Sequence, residues 1–215
     1  FKDRVTARDF LYREKLVVQS ERERIQTNID LHKIDLYKGS ATFSGLNTIS
    51  IKSSESEEIL VRGDVILIAT GSYPFRPDNI PFQHQGVYDS DTILKIDEIP
   101  KTMLVAGGGV IGCEYACMFA ALGVEVTLVE GRDRVLTFLD QEISNALEKS
   151  MEKLGVTLSL SSLIDNVKHS EKGFQVSLSS GKSLVVESVL AATGRTGATA
   201  NLNLPALGLE AGSRG

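Results

Sequence analysis

Lys101-Thr-Met-Leu-Val-Ala-Gly-Gly-Gly-Val-Ile-Gly-Cys-Glu-Tyr-Ala-Cys-Met-Phe-Ala-Ala-Leu-Gly-Val-Glu-Val-Thr-Leu-Val-Glu130 is the segment around which the rest of the chain is organised. A short apolar run, Met103 to Ala106, predicts a buried strand, and Gly107-x-Gly109-x-x-Gly112 follows it at once. A helix rich in small residues is predicted from there to Leu122, where Gly123 stops it. A second strand, Val124 to Val129, ends in the acid Glu130. Each part has a physical use in holding a dinucleotide. Gly107 permits the tight turn, Gly109 lets backbone approach a pyrophosphate, and Gly112 lets helix and strand pack closely. The helix start at Val110 and Ile111 offers unpaired N–H groups and the positive end of the helix dipole. Glu130 stands where an acid bonds the ribose hydroxyls, roughly 20 residues past the glycines. A glycine cluster alone is weak evidence, but strand, helix and acid in this order supply the context the motif requires.

Composition narrows the alternatives. The chain has 215 residues, enough for one large or two small domains, and ordinary hydrophobic and charged fractions of 42% and 24%. A formal charge of −5 gives no case for nucleic acid. No apolar run has the length of a membrane span. With two cysteines and no disulfide framework, the expected compartment is the cytoplasm. Phe1-Lys-Asp-Arg4 lacks an apolar signal core, and neither terminus reads as a domain end, so a fragment of a longer protein is expected.

Outward from the organising unit, Arg8 to about Leu31 predicts a helix that buries one stripe, with Glu21 to Arg24 as a solvated face. Short alternating runs at Gly39–Phe43, Thr48–Lys52 and Glu58–Arg62 predict an antiparallel meander, with a polar turn at Ser53–Glu58. Asp64 to Thr70 reads as a strand buried on both faces. Ser72 to Pro100 holds four of the five prolines and reads as a connection between domains, with Ser90 or Asp91 capping a short helix. Beyond Glu130, Asp140 is a candidate N-cap for a helix from Gln141 to Leu154, with an apolar stripe of Ile143, Leu147 and Met151. A third parallel strand follows at Val156–Leu160, then three short strands and a last apolar strand, Ser188 to Ala192. Meander, apolar strand and Ala-Thr-Gly thus occur twice, ending at Gly71 and at Gly194, which reads as a duplicated module. The fold class expected is α/β: a Rossmann-like nucleotide-binding domain with an inserted antiparallel meander, flanked by parts of a second, related domain.

Other chemistry-bearing residues have plainer explanations. Cys113 and Cys117 share a helix face and read as buried small side chains rather than a redox pair. His32, His84 and His169 show no metal-ligand spacing, and no metal site is expected. Asp140 and Glu142 are accounted for by a helix start.

Gly107-Gly-Gly-Val-Ile-Gly-Cys-Glu-Tyr-Ala116, Tyr88-Asp-Ser-Asp91, Arg132-Asp-Arg134 with Phe138-Leu-Asp140, and Gly194-Arg-Thr-Gly197 together carry a resemblance over essentially the whole chain. The chain resembles the flavoprotein disulfide reductases with two dinucleotide-binding domains, the group of lipoamide dehydrogenase and glutathione reductase. Within that family it is most similar to the soluble pyridine nucleotide transhydrogenases. Thr196-Gly197 departs from the Pro-Asn that disulfide-reducing relatives usually carry there.

The resemblance implies a partial FAD-binding domain and linker over 1–98, an NAD(P)-binding domain over 99–189, and a return segment to the FAD-binding domain over 190–215. It implies NAD(H) and NADP(H) as cofactors, with FAD in the full-length parent, small-molecule nucleotides as partners, and a homodimer or higher homo-oligomer. Glu114 would meet the nicotinamide carboxamide, and Gly194 would lie against the nicotinamide end. Thr70, Gly71 and the backbone of Ala41 would touch the adenosine side of the flavin nucleotide, and Arg195 would lie near the domain junction. Apart from the resemblance, Arg132 and Arg134 stand close enough to Glu130 in sequence to offset its repulsion of a 2′-phosphate, as a pocket accepting both cofactors needs. No catalytic acid, base or nucleophile is assigned. The implied activity is hydride transfer between NADPH and NAD through FAD, as in Si-specific NAD(P) transhydrogenases, with this chain alone inactive and unable to retain FAD. A lipoamide-dehydrogenase-like disulfide reductase and a non-catalytic NAD(H)-binding module remain as alternatives.

Overall fold

The computed structural model describes residues 6–53 and 57–215. In chain order the helices are α1 (Ala7–Phe10), α2 (Tyr12–Leu31), α3 (Val110–Ala121) and α4 (Gln141–Lys153). The early strands are β1 (Ser40–Gly45), β2 (Thr48–Lys52), β3 (Ile59–Arg62), β4 (Ser72–Pro74), β5 (Val87–Asp89), β6 (Thr102–Ala106) and β7 (Glu125–Val129). The later ones are β8 (Thr157–Ser159), β9 (Ile164–Ser170), β10 (Gly173–Leu178), β11 (Ser183–Val186), β12 (Ser188–Ala191) and β13 (Arg195–Gly197). The chain divides into two compact units: the stretch up to Leu11 with Pro74–Gly194, and Tyr12–Tyr73 with Arg195–Gly215.

The first unit is built on a five-stranded parallel sheet of order β5-β12-β6-β7-β8. Its strands are apolar without alternation because both faces are covered. Met103 and Val105 of β6 pack with Ala116 and Phe119 of α3 and Met151 of α4. The intervening Leu104 and Ala106 pack with Phe174, Val176 and Val186 of the antiparallel sheet β11-β10-β9. Helices, sheet and meander therefore form three layers. From β6 the chain moves through α3, β7 and α4 to β8 on one side, and the meander returns it to β12 on the other. The reversal lies between β6 and β12, and such switch points are where α/β sheets bind ligands.

Several local expectations hold with small changes. Asp140 caps α4, its carboxylate accepting from Glu142 N at 2.9 Å. The buried stripe of α4 is Ser144 and Met151 with half-buried Leu147, whereas Ile143 is exposed. The short helix after β5 is a 3-10 turn, Thr92–Lys95, with Asp91 at its N-cap position, but the Asp91 side chain makes no cap hydrogen bond. The side-chain bonds come instead from Asp89, which accepts from Asp91 N at 3.0 Å and Thr92 N at 2.8 Å. Nor is Ser72–Pro100 a bare connection: β5 is the edge strand of the parallel sheet. A three-residue strand shows no periodicity of its own, so only its pairing reveals it.

The second unit differs more from expectation. Its β1-β2-β3 meander is present, with the polar turn that follows β2 lying partly outside the described residues (54–56). The predicted first helix breaks at Leu11, and Leu11 is buried in the first unit's core. α2 then buries no residue at all, with Leu16, Val17 and Ile25 exposed. Glu21 to Arg24 lie on its solvated face as expected, and Glu21 and Arg24 form an ion pair there. Asp64 to Thr70 is not a strand, and Val65 and Leu67 are 91% and 87% exposed. A doubly buried parallel strand needs a neighbour on each side, and among the described residues no strand flanks this segment. β13 pairs with β4, and the Arg195 guanidinium donates to Ser72 Oγ at 2.8 Å and to the Ser72 carbonyl at 2.7 Å.

Candidate dinucleotide site

The end of β6 carries the site in the first unit. Gly107 turns the chain with φ +107°, and a Cβ there would stand 2.5 Å from the Ala192 carbonyl oxygen. Gly112 lies so close to the turn that its Cβ would fall 1.9 Å from the Gly107 oxygen. Gly109 is different: it is the N-cap of α3 with an ordinary φ of −78°, and a Cβ on it meets nothing within 4 Å. Two glycines are thus required by packing, and the third leaves open space in front of the helix. α3 has no side-chain cap. Its opening N–H groups, on Val110, Ile111 and Gly112, have no intrahelical acceptor to reach. Uncapped donors, the positive end of a twelve-residue helix and a vacant approach fit an anionic pyrophosphate.

Glu130 closes the other side. Its Oε2 accepts from Gly108 N at 2.6 Å and its Oε1 from Arg132 N at 3.0 Å. The carboxylate is therefore fixed before any ligand arrives, and each oxygen keeps a lone pair for a ribose hydroxyl. Gly108 was not singled out from sequence, yet its N–H orients Glu130 and a Cβ there would sit 3.1 Å from that side chain. Its carbonyl accepts from Leu136 N at 2.9 Å, tying the loop after β7 to the glycine turn. In that loop Arg132 Nη1 donates to Thr137 Oγ1 at 2.9 Å, and Arg134 Nη2 to the Thr137 carbonyl at 3.2 Å.

Glu114 is exposed, one turn into α3, beyond the first-turn positions where compensation of the helix dipole is strongest. With Val110, Cys113, Cys117, Met118, Leu136 and Leu147 it lines a groove of about 520 Å³, within the size range of ligand clefts. Gly194, φ +128°, follows β12 at the same end of the sheet, and its carbonyl accepts from Phe75 N. Gly107, Gly109, Val110, Ile111, Gly112, Glu114, Glu130, Arg132 and Gly194 all belong to the first unit. Ala41, Thr70, Gly71 and Arg195 belong to the second: Ala41 is exposed on β1 opposite Ile51, and the Gly71 carbonyl accepts from Ala198 N.

The cysteines do not form a reactive pair. Burial, then the charges of Cys117, Glu130, Glu148 and Glu114, pushes the Cys113 thiol up to about 12. Burial also raises Cys117. Burial thus disfavours the thiolate, the form that acts as a nucleophile, at both cysteines. The His84 and His169 rings stack at 4.6 Å, edge-on to Phe174. No group of three potential metal ligands occurs among the described residues, and no helix there is long and apolar enough to cross a membrane.

A family model described as pyridine nucleotide-disulphide oxidoreductase matches residues 3–215. The chain is 40% identical over 207 residues to the soluble pyridine nucleotide transhydrogenase of Yersinia enterocolitica, covering 96% of this chain and 44% of that protein. It is 40% identical over 210 residues to the namesake from Vibrio atlanticus, covering 98% and 45%. The HOCl-induced flavoprotein disulfide reductase RclA from Escherichia coli, solved as a Cu(II) complex, matches with a TM-score of 0.86 at 32% identity, over 95% of this chain and 46% of that one. LpdA from Mycobacterium tuberculosis matches at 0.89 with 22% identity over 98% and 47%, a likeness of fold. The chain spans somewhat less than half the length of these relatives. The likeness read from the Gly107–Ala116 and Gly194–Gly197 motifs is thereby borne out, and the chain belongs to the pyridine nucleotide-disulphide oxidoreductase family.

Proposed function

We propose that this chain supplies the NAD(P)(H)-binding unit, and part of the FAD-binding unit, of an enzyme transferring hydride between NADPH and NAD. The observation that carries the reading is the uncapped N-terminus of α3 behind an open Gly109, flanked by a preset Glu130. The transhydrogenases to which the chain is about 40% identical support that reaction over disulfide reduction, as does Thr196-Gly197. The Si-specific type, a cytoplasmic location and a homo-oligomeric full-length protein are parts of the same proposal.

In this reading the N–H groups of Val110, Ile111 and Gly112 bind the pyrophosphate, and Glu130 orients the adenosine ribose. Glu114 and Gly194 face the nicotinamide end. Thr70, Gly71, Ala41 and Arg195 contribute to the flavin side from the second unit. A bound flavin supplies the reversible hydride acceptor, chemistry no side chain offers, while the protein binds, orients and excludes water. The test uses the full-length protein containing this chain, assayed for NAD⁺ reduction by NADPH without any disulfide. Turnover with ping-pong kinetics is expected. Turnover that appears only when a disulfide such as lipoamide is added would move the assignment to a reductase.

Glu130 also sets a preference. A carboxylate about 4 Å from a 2′-phosphate is repelled by roughly 1 kcal/mol in bulk water and 4 kcal/mol at an effective dielectric near 20. Half-exposed Glu130 lies between those limits, and Arg132 offsets part of the repulsion. Glu130→Gln is therefore expected to shift the NADPH/NADH affinity ratio by about tenfold towards NADPH. Calorimetric titration of both cofactors checks it, and an unchanged ratio would remove Glu130 from the ribose site.

A further inference from the structure

The loop after β7 carries two guanidinium groups, and both are held by one residue. Arg132 donates to the hydroxyl of Thr137 and Arg134 to its carbonyl. The hydroxyl is a neutral acceptor on a β-branched side chain with restricted χ1, so it positions Arg132 without cancelling its charge. Glu130, two residues before Arg132, accepts from its backbone N–H rather than from the guanidinium, and the adjacent Asp133 forms no ion pair with it. Among the described residues no carboxylate pairs with the Arg132 guanidinium. A cation with free N–H donors thus stands two residues from the ribose carboxylate, and a guanidinium fork matches a phosphate dianion well.

We propose that Thr137 is a positioning residue for cofactor choice: its hydroxyl holds Arg132 where the guanidinium receives a 2′-phosphate, letting a pocket that contains Glu130 accept NADP as well as NAD. The proposal rests on the reading of Glu130 and the glycine turn as the adenosine-ribose and pyrophosphate sites. Substitution of the Thr137 side chain leaves the backbone carbonyl, and hence the Arg134 contact, in place. The side chain can therefore be tested on its own.

The experiment measures dissociation constants of NADP⁺ and NAD⁺ for the oxidised full-length protein by calorimetry, in wild type, Thr137→Val, Thr137→Ser and Arg132→Ala. Thr137→Val, which keeps shape and removes the hydroxyl, is expected to weaken NADP⁺ by about fivefold to tenfold and to leave NAD⁺ within about twofold. Thr137→Ser restores NADP⁺ affinity, and Arg132→Ala reproduces or exceeds the valine effect. If Thr137→Val weakens both cofactors equally, leaves both unchanged or tightens NADP⁺, the proposal is overturned. Loss of NADP⁺ affinity in Arg132→Ala without loss in Thr137→Val rejects the Thr137 role alone. The underlying site reading fails separately, if Gly109→Val leaves NAD⁺ binding intact.

Discussion

Valine at position 109 is expected to raise the dissociation constant for NAD⁺ at least about a hundredfold while the protein stays folded. Gly109 has an ordinary φ and nothing within 4 Å of its Cβ position, so the fold does not need glycine there. The space it leaves open lies at the start of α3, where the valine methyl groups would occupy the approach to the helix N–H donors. Hydrogen bonds to a charged group contribute roughly 1.5–3 kcal/mol each, and losing two accounts for a factor of a hundred or more. Gly112→Ala provides the contrast. Its Cβ would overlap the Gly107 carbonyl at 1.9 Å, an overlap with backbone that no rotamer relieves. That variant is expected to lose soluble, cooperatively folding protein altogether. Circular dichroism separates the two, and calorimetry with NAD⁺ gives the affinity. Gly109→Val binding as tightly as wild type would remove the glycine turn from the cofactor site.

The second large effect concerns Asp89, which is 1% exposed at the end of β5. Its carboxylate takes Arg76 in two contacts, Nε at 2.8 Å and Nη2 at 2.6 Å, and also accepts from Asp91 N, Thr92 N and the Thr92 hydroxyl. Arg76 in turn lies 5.1 Å from the centre of the Phe82 ring. Alanine would orphan these donors at the edge of the parallel sheet. Breaking a buried pair costs roughly 3–5 kcal/mol, and half-exposed Arg76 puts the expected loss near 3 kcal/mol. A urea midpoint checks it, and a change below about 1 kcal/mol would mean the network is not stabilising.

The same group predicts a pH dependence. Burial alone would raise the Asp89 pKa, but hydrogen bonds from Thr92, Arg76 and Asp91 outweigh it and hold the carboxyl below the usual carboxylate range. A depressed folded pKa means the unfolded chain takes up the proton first. The stabilisation is thus complete above the unfolded value of about 4 and is lost as pH falls through the lower folded value. Asp89→Asn is expected to flatten the stability curve below about pH 4. An unaltered acid limb would assign that limb to other carboxylates.

Sequence alone determined the organising unit, because its constraints are local. Strand, three glycines at fixed spacing, helix and terminal acid each follow from neighbours in the chain. Asp140 was legible as a cap for the same reason, since an N-cap bonds N–H groups two or three residues away. Partnership was not legible. Asp64–Thr70 and Ser188–Ala192 are equally apolar, yet only the second forms a strand, because β5 and β6 flank it. Likewise α2 shows apolar positions, but no described element covers them. Asp89 supplies the side-chain bonds that Asp91, at the N-cap position, does not, because β5 and Arg76 fix the Asp89 side chain. The hold of Gly108 on Glu130 joins residues 22 apart, and that of Thr137 on Arg132 joins residues five apart in an irregular loop. Periodicity states which side of a segment is apolar; only the folded chain states what lies against it.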